Sequence, residues 1–302
     1  LQATNERFRV GEITRTDVAQ ADSRLAGSRA QREQAEGQLQ VSRATFQRVT
    51  GLVPTRLVPP AVLVPPARSA EEAVRLAGEN NPTVVAALFD EAGARDNIDL
   101  QFGALLPTAS VTGQAFRIDN NLNRGTRQTG SQVTANLSVP LYQGGAEHAA
   151  VRQARQQAQQ ARQVVEDARR QAAQQARQAW EQLRTTRALV ESVRAQIRAQ
   201  EIALDGVQRE AIVGSRTTLD VLNAEQELLN ARTSLVQALA NQVIASYSLA
   251  ATMGRLTARD LALPVQQYDV EAYYRAVRNR WAGTGDYAGA AAGPQATPTG
   301  GR

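Results

Sequence analysis

Cysteine is absent from the 302-residue chain, and histidine occurs once, at His148. No disulfide framework, thiol nucleophile or cysteine metal site is available. His-based triads and multi-histidine metal sites are excluded with them. The sequence also shows no phosphate loop and no acid pair placed beside a histidine, so neither an enzyme nor a cofactor is expected. Aromatic residues make up only 4% of the chain, too few for a large, well-filled globular core. No apolar run reaches the roughly 18 residues of a membrane helix. That leaves a membrane β-barrel open, because barrel strands are short and alternate. Proline is missing from Gly145 to Val213, so nothing in that stretch forces a helix to break.

What fills that stretch is Ala, Gln and Arg. Val151, Ala154, Ala158, Ala161, Val165, Ala168 and Ala172 recur at alternating spacings of three and four, a coiled-coil face. The residue types are good helix formers. From Gly145 to Ala211 a helix would hold about 67 residues and measure roughly 100 Å at 1.5 Å per residue. A second proline-free run carries Val221, Ala224, Leu228, Ala231, Leu235 and Ala238, with Leu222, Leu229, Val236 and Val243 beside them. Two adjacent seams let one helix pack on two neighbours, which suits helices closed into a tube. A long antiparallel hairpin used only as a spacer would show the same helical pattern.

The net charge is +5 and the isoelectric point about 10.2. Arg is interleaved with Glu, Asp and Gln along the helices, as on a solvated coiled-coil flank. A basic helical nucleic-acid binder is therefore the weakest reading, and no nucleic-acid partner is expected.

An internal repeat organises the rest. Shifted by 203 residues, Val10, Gly11, Thr14, Asp17 and Val18 meet Val213, Gly214, Thr217, Asp220 and Val221. Ala21, Leu25, Ala35 and Gly51 meet Ala224, Leu228, Ala238 and Gly254 without a gap. The second copy has a long helix and two strand-like segments ahead of its Val-Gly turn; the first has only a few residues, so the front of the first repeat is expected to be missing. Residues 1–50 read as a helix with an early break, and 51–81 as a proline-rich segment closing with a short helix. Ser69 and Glu72 fit a capping box there, and Asn81-Pro82 opens the next helix, assigned to 82–106. Residues 107–142 read as a β-hairpin, 143–254 as the long helical hairpin, 255–281 as a segment with one helix near Val270 to Trp281, and 282–302 as a disordered tail.

In the hairpin the hydrophobic period falls to two. Val133, Ala135, Leu137, Val139 and Leu141 face one way; Gln132, Thr134, Asn136 and Ser138 face the other. Apolar to lipid and polar to a wet lumen is the pattern of a transmembrane barrel strand. Thr108 to Ile118 alternates until Phe116-Arg117, and Asp119 to Gly130 reads as an exposed loop. An ordinary soluble hairpin would need further strands.

Leu106-Pro107-Thr108 entering a strand, Pro140-Leu141-Tyr142-Gln143-Gly144-Gly145 leaving one, Val213-Gly214-Ser215-Arg216-Thr217, Asp220-Val221-Leu222 and Met253-Gly254-Arg255-Leu256 together resemble the TolC family of outer-membrane efflux proteins. The resemblance covers roughly residues 1–265. It implies a mainly α fold with a small β part: coiled-coil hairpins forming a periplasmic α-barrel, joined to strands of an outer-membrane β-barrel, in a homotrimer. It implies an exit duct for drugs or secreted proteins. The partners would be a periplasmic adaptor and an inner-membrane efflux pump or ABC transporter.

By the same resemblance Arg216, Asp220, Asn223, Asp17 and Thr16 form a periplasmic gate. Arg216 would tie to Asp17 and Thr16, and Asp220 would form a constricting carboxylate ring. Val10, Gly11, Val213 and Gly214 would be the adaptor-contact tips. Asn223 stands where a second Asp is often found, and Ala211 where a gate Tyr is found. Beside Thr217 and Thr218, Asp220 also fits a first-turn acid that caps its own helix, and both roles stand. The alternative to a duct is a periplasmic coiled-coil adaptor or scaffold, which would have no use for a lipid-facing strand.

Overall fold

A computed structural model describes residues 1–119, 125, 127–265, 267–282, 284 and 285. Most of the tail expected to be disordered, and part of the loop between the strands, lie outside the described residues. Helices α1 (Gln2–Arg9), α2 (Arg15–Thr50), α3 (Ala70–Asn80) and α4 (Pro82–Gly103) precede strands β1 (Thr108–Asp119) and β2 (Arg127–Ser138). Helices α5 (Ala146–Ile212), α6 (Thr218–Thr252) and α7 (Val270–Val277) follow. No helix among the described residues is long and apolar enough to cross a membrane, which says nothing of the strands.

The chain divides into two compact units, Leu1–Arg68 with Gln178–Ala251, and Ser69–Arg177 with the segment from Thr252 onward. In the first unit α6 buries Leu228, Ala231, Ala238, Ala245 and Leu249, and the C-terminal half of α5 buries Leu183, Val190 and Val193. Arg232 on α6 donates to Glu201 on α5 at 2.9 Å. Ser246 is fully buried and satisfied: its hydroxyl accepts from the Leu63 amide at 3.0 Å and donates to the Val243 carbonyl at 2.7 Å. Of the two seams expected on α6, the one through Leu228 is covered. The other leaves Leu229 and Val236 exposed.

In the second unit the core is small and alanine-rich. Ala77 of α3 and Val84 and Ala87 of α4 pack with Val165, Ala168, Ala172 and Ala176 of α5. Small side chains let helices approach closely, so the seam works without aromatics. Along α5 the inward positions run 151, 154, 158, 161, 165, 168 and 172 and then resume at 176, 179, 183, 186, 190 and 193. Two successive steps of four at Ala168, Ala172 and Ala176 form a stutter, which locally unwinds a left-handed coil.

Asn81 joins three pieces of this unit. Its side-chain oxygen accepts from the Thr83 amide at 2.9 Å and caps α4, while its Nδ2 donates to the Thr252 carbonyl at 2.9 Å. Beside it, Met253 is fully buried and Gly254 adopts a positive φ of 68°.

The strands pair antiparallel without a bulge, from Thr108 opposite Ser138 to Asp119 opposite Arg127. Two expected boundaries shift. Arg127 to Gly130 belong to β2 rather than to the loop, because the register continues to the Asp119–Arg127 rung, where an ion pair of 2.8 Å closes it. β2 ends at Ser138, before Pro140 can interrupt the ladder with its missing N–H. Val139 and Leu141, expected within the strand, therefore lie beyond it. The last helix ends at Val277, short of Trp281.

Candidate functional site

Two helical turns with the same build carry the residues expected at the tips. Between α1 and α2, Gly11 has φ +80°, its amide donates to the Phe8 carbonyl at 3.0 Å and the Glu12 amide to the Arg7 carbonyl at 2.9 Å. Between α5 and α6, Gly214 has φ +79°, its amide donates to the Ala211 carbonyl at 3.2 Å and the Ser215 amide to the Glu210 carbonyl at 2.9 Å. The left-handed conformation strains any side chain, which fixes glycine at both positions. Val10 and Val213 beside them are 70% and 78% exposed.

The helices that follow start alike. The Thr14 amide and hydroxyl donate to Asp17 Oδ2 at 2.9 and 2.8 Å, and the Asp17 amide returns to Thr14 Oγ1 at 3.3 Å. At α6 the Thr217 amide and hydroxyl donate to Asp220 Oδ2 at 2.9 and 2.8 Å, and the Asp220 amide returns to Thr217 Oγ1 at 3.2 Å. Each is a reciprocal capping box. The 203-residue repeat is thus reproduced atom by atom. Hydrogen bonds from Thr14, and after them the charge of Arg7, hold the Asp17 carboxyl below the usual aspartate range. Hydrogen bonds from Thr217, and after them the charge of Arg216, do the same for Asp220.

Each turn is also stapled by one ion pair. Arg7 Nε donates to Glu12 at 2.9 Å, and Arg216 Nε donates to Glu210 at 2.8 Å. The hydrogen bond and charge of Glu210, with a further contribution from Asp220, raise the Arg216 guanidinium above its usual value. The family resemblance implies Asp17 and Thr16 as partners of Arg216; within the single chain its hydrogen-bond partner is Glu210. Glu210 lies six residues upstream, across the turn, and nothing in the helical period singles it out. Thr16 is exposed on the first turn of α2, and Ala211 is buried.

Asn223 has a partner that sequence spacing does not pick out. Arg24 Nη2 on α2 donates to Asn223 Oδ1 on α6 at 2.8 Å, joining the two repeats within the first unit. Arg24 lies seven residues after Asp17, on the same face of α2. A neutral acceptor at 223 leaves the arginine charge uncancelled, where an aspartate would neutralise it.

In the second unit the hairpin sorts its side chains by face. Ala109, Val111 and Gly113 stand opposite Leu137, Ala135 and Val133; Ser110, Thr112 and Gln114 stand opposite Asn136, Thr134 and Gln132. Val111, Val133 and Leu137 are all more than 70% exposed. Among the described residues, nothing covers this apolar face.

Comparison with known proteins places this arrangement. Residues 73–255, more than half of the chain, match the family described as "Outer membrane efflux protein". The outer membrane efflux protein BepC of Brucella suis is 37% identical over 285 residues, covering 94% of this chain and 62% of that protein. The outer membrane protein TolC of Vibrio cholerae is 27% identical over 274 residues, covering 86% of this chain and 62% of that protein. The chain thus spans less than two thirds of the length of these relatives. A solved membrane protein from Pseudomonas aeruginosa shares the fold with a TM-score of 0.72 at 18% identity, over 84% of this chain and 58% of that one. The chain belongs to the outer membrane efflux protein family.

Proposed function

We propose that this chain forms part of an outer-membrane exit duct that carries drugs or secreted proteins across the periplasm and outer membrane. The observation that carries this reading is the two-faced hairpin, apolar on one side and polar on the other, linked through Pro140 and the Gly144-Gly145 turn to a 67-residue helix. A hairpin of this kind needs lipid on one face and water on the other. A long helix with an open second seam needs further helices beside it. A closed ring of copies meets both needs, and a homotrimer is the assembly that the family resemblance implies. The tips, with Val10 and Val213 exposed, are the surfaces for a periplasmic adaptor coupled to an inner-membrane pump or ABC transporter.

The gate works in this reading by exchange of partners. Arg216 held by Glu210 in its own turn is withdrawn from Asp17. Arg216 released from Glu210 is available to a neighbouring repeat, where it bridges carboxylates that otherwise repel at close range. Cell fractionation of the full-length protein tests the duct: it is expected in detergent-extracted outer membrane, and recovery in the soluble fraction without detergent would favour the periplasmic adaptor instead.

A further inference from the structure

We propose that Arg117 and Arg127, held side by side by Asp119 at the outer end of the apolar face, bind a phosphate of an anionic lipid headgroup in the outer leaflet. The proposal rests on the reading of β1 and β2 as membrane strands.

Register supplies the first part of the argument. The apolar rungs Ala109–Leu137, Val111–Ala135 and Gly113–Val133 continue through Ala115–Ser131 to Arg117–Thr129 and Asp119–Arg127, all on one face. From Ala109 to Arg117 is eight residues, or about 27 Å of strand at about 3.4 Å per residue. At a tilt of about 40° this is roughly 21 Å along the membrane normal, within the roughly 25 Å apolar band of a barrel. The charges thus begin where hydrocarbon gives way to headgroups.

Geometry supplies the second part. Asp119 accepts from Arg117 Nε at 3.2 Å on one oxygen and from Arg127 Nε at 2.8 Å on the other. One carboxylate orients two guanidinium groups through their inner nitrogens and leaves the forked outer nitrogens to other acceptors. The cluster carries one net positive charge, and the three side chains are 47–63% exposed. Paired, pre-oriented guanidinium forks match phosphate oxygens well.

Segregation supplies the third part. The opposite face at the same height holds Phe116 opposite Gly130 and Ile118 opposite Gln128, with no charge. The Phe116 ring lies so close over Gly130 that a Cβ there would fall 2.6 Å from its Cζ. Charge placed only for solubility of a hairpin end has no reason to avoid one face.

The test uses the full-length channel in zwitterionic detergent and lipid A, the bisphosphorylated lipid anchor of the outer leaflet, with zwitterionic phosphatidylcholine, which has no net charge, as the comparison. Native mass spectrometry reads lipid retained per assembly. The wild type is expected to retain lipid A in preference. Arg117→Gln with Arg127→Gln is expected to lower that retention about tenfold, and Arg152→Gln on α5 to leave it unchanged. Where the double variant assembles poorly, Arg117→Gln alone is read, with about threefold loss expected. Equal retention by wild type and variant, or equal loss with Arg152→Gln, overturns the proposal. A fluorophore at Leu137, quenched by brominated lipid in vesicles, separates the two levels. Quenching with unchanged retention overturns the headgroup site alone, and absence of quenching overturns the membrane strands and the site together.

Discussion

Gly51 and Gly254 occupy equivalent places in the two repeats, and the structure predicts that alanine will be tolerated at one and not at the other. Both adopt positive φ, +73° and +68°, within two residues of the end of a long helix. Alanine in that conformation costs about 1–2 kcal/mol at either site. The surroundings differ. Nothing lies within 4 Å of a Cβ built on Gly51, whereas one built on Gly254 would sit 2.0 Å from the Asn80 carbonyl oxygen and 2.6 Å from its carbon. Those are backbone atoms at the α3–α4 junction, which Asn81 ties to Thr252 at 2.9 Å, so they cannot swing away as a side chain would. Forcing an extra methyl into such a site costs about 1–3 kcal/mol more. Gly254→Ala is therefore expected to destabilise by about 2–5 kcal/mol and Gly51→Ala by about 1–2 kcal/mol. Thermal melts of the full-length protein in detergent, followed by far-ultraviolet circular dichroism, should separate the two variants by several degrees. Equal midpoints would show that the Gly254 contact yields without cost, and the account of a close-packed junction would be wrong.

Leu137→Arg should destabilise the membrane-inserted protein by about 2–4 kcal/mol and Asn136→Arg far less; equal losses in urea unfolding from lipid would refute the assigned faces. Arg216→Ser should raise channel conductance in planar bilayers and Glu210→Gln should lower it, because the two changes shift Arg216 in opposite senses between neighbouring repeat and own turn; an unchanged conductance in both would remove Arg216 from the gate. Arg24→Gln should loosen α2 against α6 and raise the mobility of a spin label at Ser28, whereas Asn223→Asp should lower it by adding charge to the bond. Asp17 and Asp220 have lowered folded values, so their capping contributes fully above the ordinary aspartate value and is lost only as pH falls through the depressed one. Spin labels at the two tips should therefore stay ordered from neutrality into mild acid and loosen only below it; loosening between pH 6 and 5 would point to another group.

Much of this architecture was legible because it depends on period. The three-four spacing of α5, the alternation of β2 and the 203-residue repeat are each patterns that burial or pairing imposes on a chain. Legibility failed where the deciding interaction crosses a turn or joins separate segments. Glu210 meets Arg216 because the turn at Gly214 folds back, and Arg24 meets Asn223 because two helices 199 residues apart lie together. The β2 boundary failed for a related reason: Arg127 to Gly130 are polar and look like loop, yet the partner strand offers each of them a rung. Of the two roles expected for Asp220, the structure shows the capping one.

The two tip staples match in backbone but not in polarity. In the first turn the cation comes from the helix and the anion from the residue after the glycine; in the second the anion comes from the helix and the cation from beyond the glycine. Glu210 occupies the repeat position of Arg7, so the duplication kept the clasp and reversed its charges. A ring built from three such chains would then present six turns of one shape in two electrical forms, alternating around the rim. A docking protein reading shape alone would find six equivalent seats, while one reading charge would find three and three. A protein docked on every turn of such a ring would meet two kinds of seat, and a single charge change in it should weaken half of the contacts before the rest.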